Sequence, residues 1–174
     1  MQSTPSPEQV QSASPEDLVL MLFEGAVSFG RQAEEALRRG DRDRGAVLVG
    51  RVRAIVEELE RGLNPAAGSI SRHLAAIYEY VLRRLEPDAV DAGTVAEVIA
   101  DVLTTKGMVL ANLGRVREGI GLVEAAANLA QAHDLSAAAL RAQTNLSAIQ
   151  PTVDPRAGLE QARRAMENAR RAGI

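Results

Sequence analysis

The chain has 174 residues, 46% of them apolar and 25% charged, the balance of one globular domain or of two small units sharing a boundary. The absence of Cys excludes disulfides and thiolate chemistry, and no apolar run approaches the roughly 18 residues of a membrane span. The net charge of −3 divides unevenly: residues 1–105 carry −6 and residues 106–174 carry +3, so neither part has the basic balance of a nucleic-acid binder.

Aromatic residues make up only 2% of the chain, so its core must be aliphatic. Residues 1–13, rich in Ser, Pro and Gln, read as a flexible start without the charged and apolar regions of a signal peptide. The first helix is expected from Pro15 to Arg39. Ser14 is its cap, Pro15 suits the first helical position, and Asp17 can accept from the cap's own N–H. Leu18, Leu22, Gly25/Ala26, Phe29 and Ala33 recur at three- and four-residue steps and are expected to form its covered stripe.

Gly40-Asp41 is a stop and turn. A second helix is expected from Arg42 to Gly62, with Leu48/Val49, Val52, Ile55/Val56, Leu59 and Leu63 on one face. Asn64-Pro65 and Gly68 break it. A third follows from Ser69 to Leu85, with Ile70, Leu74, Ile77/Tyr78, Val81 and Leu85 inward. After a loop from Pro87 to Gly93, Thr94 can cap a fourth helix carrying Val95, Val98/Ile99, Val102 and Leu103. Four amphipathic helices with short connections, and no segment of period two, define an all-α antiparallel bundle over residues 14–104.

From Thr105 the texture changes to helical hairpins with small residues where helices cross. A break is expected at Gly114, a helix to Ala132, another from Ala137 to Ile149, a turn over Pro151 to Pro155 and a last helix from Arg156 to Ala172. This extension, residues 105–174, would dock on the bundle through a continuous helix from Thr94 to Leu113.

No catalytic, cofactor or metal constellation assembles. His73 and His133 have no partner at zinc-site spacing. Glu57, Glu58 and Glu60 read as a solvated face, Glu57 pairing with Arg53 and Arg61. Ser14 is a cap rather than a nucleophile, Asp41–Asp43 is too short for a calcium loop, and Gly119 and Gly121 follow no strand. The chain is therefore expected not to be an enzyme.

Three stretches carry a resemblance. The opening V-x-SASPEDLVLMLFEGAVSFGRQA, the run RAIVEELERGLNP from Arg53 to Pro65, and ISRHLAAIYEYVLRRL from Ile70 to Leu85 resemble, in order and spacing, the flagellar secretion chaperone family (FliS). Phe23 stands where that family usually has Tyr, keeping the ring without the hydroxyl. The resemblance implies a cytoplasmic helical bundle that binds the disordered C-terminal segment of flagellin, prevents its premature polymerisation and hands it to the flagellar export machinery. It implies no cofactor, no nucleic acid and no membrane insertion. An exposed apolar groove is also compatible with a homodimer. Beyond Leu103, the spacing of Gly107, Leu110, Gly114, Gly119, Val123 and Ala126 resembles tetratricopeptide repeats, with Gly119 in place of the usual Ala. The alternative is a helical-repeat scaffold or regulatory fragment that does not bind flagellin.

For the groove, the expected residues are apolar positions off the main core stripe: Val19 and Phe23, Ile55 and Leu59, Tyr78 and Val81. Tyr78 and Tyr80 point about 200° apart on a helix, so only one can face the core fully and the other is a partly exposed anchor.

Overall fold

The computed structural model describes residues 12–64, 66, 68–86, 90–150 and 155–171. The expected flexible start and the turn after Gln150 fall largely outside them. The described residues are all-α: α1 (Pro15–Arg38), α2 (Arg42–Arg61), α3 (Ser69–Arg84), α4 (Ala92–Asn112), α5 (Val116–Ala132), α6 (Ser136–Ile149) and α7 (Pro155–Arg171). Two compact units divide between Val98 and Ile99, inside α4, whose helix runs without a break across the position where the texture of the sequence changes.

The helix ends follow from local chemistry. The Ser14 hydroxyl accepts from the Asp17 N–H at 3.1 Å and itself donates to the Asp17 carboxylate at 2.8 Å, so the reciprocal bond runs side chain to side chain. Asp41 caps α2 by accepting from the Arg44 N–H. At α4 the cap is Asp91 and not Thr94: the Asp91 carboxylate accepts the Thr94 N–H at 2.6 Å. That bond holds the Asp91 carboxyl below the usual carboxylate range. Three turns share one design. After α1, α4 and α5 the chain enters a left-handed residue, Gly40, Gly114 and Asp134, and the next N–H reaches back to the carbonyl of Ala36, Leu110 and Ala130.

In the first unit α1 packs along α2, and α2 along α3. Leu20, Phe23, Ala26, Val27 and Ala33 of α1 are buried, with Leu48, Val49, Val52, Val56 and Leu59 of α2, Tyr78 and Val81 of α3, and Val95 and Val98 of α4. The Arg53 guanidinium donates to the carbonyls of Leu82 and Leu85 at 3.1 and 3.3 Å, satisfying acceptors that the end of α3 leaves open. Glu57 pairs with Arg53 at 3.7 Å as expected, but Arg61 pairs with Glu58 instead of Glu57.

The second unit combines buried alanines with Ile99, Val102, Leu103, Leu110, Val123, Leu146 and Ile149. α5 packs on α6, and α6 on α7. Ala126, Ala127, Ala130, Ala138 and Ala142 are buried between them. Arg141 of α6 grips the Asp101 carboxylate through two nitrogens, each at 3.0 Å. The buried Thr104 and Thr105 hydroxyls donate to carbonyls one turn back.

Candidate partner-binding surface

Helix α1 carries two apolar stripes, and packing chooses between them. The stripe that enters the core is Leu20, Phe23, Val27, Gly30 and Glu34, with Ala26 and Ala33 beside it. The stripe expected to be covered does not enter it as a whole: Leu22, Gly25 and Phe29 are half-buried and Leu18 is 36% exposed, while Ala26 and Ala33 are buried. The core line lies roughly 100° or more round the helix from Leu22 and Phe29.

That second stripe borders α2. A Cβ on Gly25 would lie 3.2 Å from Ile55 Cδ1, so Ile55 rests over the glycine. One turn along, the Arg51 guanidinium sits 5.1 Å from the centre of the Phe29 ring. Val47, one turn before Arg51 on the same face, is 61% exposed. Leu18, Leu22 and Phe29 with Ile55, Arg51 and Val47 thus form an apolar seam along a helix pair, crossed by one cation.

The expected groove residues separate into two groups. Phe23, Leu59, Tyr78 and Val81 are buried, Phe23 to 1% exposure, and their place off the core stripe is corrected. Each lies three or four residues from another buried position on its own helix, and burying one stripe brings its neighbours in with it. Val19, Ile55 and Tyr80 are half-buried. The structure brings Ile55 into the seam. Tyr80 lies on α3, where its hydroxyl donates to Glu97 at 3.2 Å and Arg84 pairs with the same carboxylate. The pair of tyrosines divides as their spacing requires, Tyr78 inward and Tyr80 at the surface. Sequence reasoning missed the exposed Leu18, Val47 and Arg51 and the incomplete burial of Leu22 and Phe29. The presence of a second apolar stripe on α1 was the available signal.

Burial pushes the Tyr78 phenol up to about 12 from 10.0. The folded state therefore favours the neutral phenol. That contribution to stability is complete below the unfolded value and is lost as pH rises from 10 towards 12. Ultraviolet titration of a Tyr80→Phe variant, whose only phenol is Tyr78, should place the ionisation near pH 12. Ionisation at pH 10 with the helical fold intact would contradict this burial.

His73 is exposed, and no group of three metal-ligating side chains forms among the described residues. No described helix is long and apolar enough to cross a membrane. The second unit has an open cavity of 770 Å³ between the α5–α6 turn and the end of α7, floored by Ala130, Leu135, Ala139 and Leu140.

Among the described residues, α1 and α2 of this all-α bundle leave an apolar seam that is only partly buried. The chain is a member of the FliS family: the family model "Flagellar protein FliS" matches residues 2–102. It is similar to the flagellar secretion chaperone FliS of Bacillus subtilis (strain 168), 34% identical over 91 residues, covering 51% of this chain and 68% of the relative. It is also similar to the flagellar secretion chaperone FliS of Salmonella typhimurium, 38% identical over 78 residues, covering 44% of this chain and 58% of the relative. The family is one of non-enzymatic chaperones of flagellar secretion. Residues 103–174 lie beyond the family match.

Proposed function

We propose that this chain is a cytoplasmic export chaperone that binds the disordered C-terminal segment of flagellin and hides its polymerising face until secretion. Residues 14–104 act as the chaperone module and residues 105–174 as an accessory. The observation that carries this reading, beside family membership, is the seam of Leu18, Leu22, Phe29, Val47 and Ile55. An amphipathic client segment that folds on docking lays its apolar face into such a groove, with anchors at helical spacing. Ordering a disordered client consumes part of the binding energy, so the client must wrap a large surface, extending past Val19 and Tyr80. The buried Phe23, Leu59, Tyr78 and Val81 hold the helices in register beneath it. Release comes from transfer to the export machinery and needs no nucleotide.

The test is calorimetric titration of a flagellin C-terminal peptide into the full chain. The expected result is tight binding with a large negative heat-capacity change. Leu18→Asp with Val47→Asp alters exposed positions and should leave the helical circular dichroism unchanged while weakening binding about tenfold or more, roughly 1.4 kcal/mol. Unchanged affinity in that variant removes the seam as the docking surface, and no binding by the folded wild-type chain removes the chaperone reading. The compact second unit, with its own cavity, supports the other reading, a helical-repeat scaffold; binding of a different client that maps to residues 105–174 would favour it.

A further inference from the structure

We propose that the outward face of α7 is a docking site for an acidic amphipathic helix of a partner protein. The helix reads PRAGLEQARRAMENARR, with five arginines against two glutamates. Asn168 fixes its orientation by donating to Gln143 of α6 at 2.7 Å. Leu159 lies about 180° from Asn168 and so points away from α6. The exposures agree: Leu159 is 57% exposed and Met166 59%.

At about 100° per residue, Leu159, Arg163, Met166 and Arg170 fall within about 40° of one line. The outward face therefore alternates apolar and basic groups along its length, and Arg163 and Arg170 are exposed with the two apolar side chains. Spacings of four, three and four residues match the ridge of a second helix. The complement to an Arg–apolar–Arg line is a helix that presents carboxylates between apolar residues, where guanidinium–carboxylate pairing adds direction to apolar contact.

Other anionic partners fit less well. A helix lying in a membrane surface needs a wide continuous face of large apolar residues, and among the described residues of this helix the exposed large apolar side chains are Leu159 and Met166, with Arg163 between them along the axis. Nucleic acid calls for a strongly basic domain, whereas residues 106–174 carry only +3 and Glu160 and Glu167 lie on this same helix. This face is beyond the family match and does not depend on flagellin binding.

The experiment uses the full chain and a fluorescent synthetic peptide whose Glu and Leu residues follow the same four-three-four spacing. Anisotropy should report binding that weakens with added salt. Affinity should fall about tenfold or more in Arg163→Glu/Arg170→Glu, and likewise in Leu159→Ser/Met166→Ser. Both pairs are exposed, so circular dichroism should be unchanged. A Lys–Leu peptide of the same pattern should not bind. Equal binding of the two peptides, or no binding of the Glu–Leu peptide, overturns the proposal. So does binding through α7 of phosphatidylglycerol vesicles or duplex DNA without the peptide. A dimer in sedimentation velocity that dissociates in Leu159→Ser/Met166→Ser would show that a second copy covers this face, and also overturns it.

Discussion

Phe23→Ala is expected to destabilise the first unit by about 3–5 kcal/mol, the cost of removing a fully buried aromatic side chain and leaving its cavity. The ring is 1% exposed, among Leu20, Ala26 and Val27 on its own helix. Against a total stability of roughly 5–15 kcal/mol for a domain, this is a large fraction. Urea unfolding followed by circular dichroism measures it. Flagellin-peptide binding by the variant should fall only as the folded fraction falls, because the ring supports the seam from below. A variant that stays within about 1 kcal/mol of wild type and yet loses the peptide would return Phe23 to the surface role that its spacing first suggested.

Gly119→Val is expected to open the α4–α5 crossing of the second unit at a cost of about 1–3 kcal/mol or more. A Cβ at Gly119 would overlap the Gly107 carbonyl oxygen and lie 3.1 Å from the Ala111 N, so the obstacle is backbone that no rotamer change can relieve. Gly107 is equally confined, its missing Cβ falling 2.7 Å from the Gly119 carbonyl oxygen and 2.5 Å from Val123 Cγ2. Even Gly119→Ala, which gains about 1 kcal/mol in helix propensity, should be net destabilising. Gly121, one residue pair along the same helix, has open space where its Cβ would be, so Gly121→Ala should gain roughly 0.5–1 kcal/mol. Urea midpoints of the three variants decide the matter. Stabilisation by Gly119→Ala would mean that the helices cross less closely than the structure has them. The repeat resemblance places Ala at this position, and the backbone approach explains why this chain has Gly.

The helix pattern was readable because helix ends are local chemistry. Ser14-Pro15, Gly40 and Gly114 each act on groups within a few residues and serve as the spacing suggested, while Asp41, expected only in the turn, also caps α2. Thr94 and Asp91 show the limit of that reading. Both can cap, and the one whose carboxylate reaches the third N–H does so. Likewise the two-residue step from Tyr78 to Tyr80 required that one face out, but not which.

Period and local chemistry therefore determined the helices of the described residues, the turns between several of them and an aliphatic core. Tertiary packing alone decided which of the two apolar stripes of α1 is core. A period of 3.6 residues ranks both stripes alike, and only packing within the first unit selects the line through Phe23, leaving Leu22 and Phe29 half-buried. Contacts between distant residues had the same origin. Asp101 and Arg141 are 40 residues apart, and Arg53 meets the carbonyls of Leu82 and Leu85 only because α2 lies beside the end of α3. Such pairs leave no trace in spacing, since the burial of apolar surface that brings them together is non-directional and summed over the whole unit.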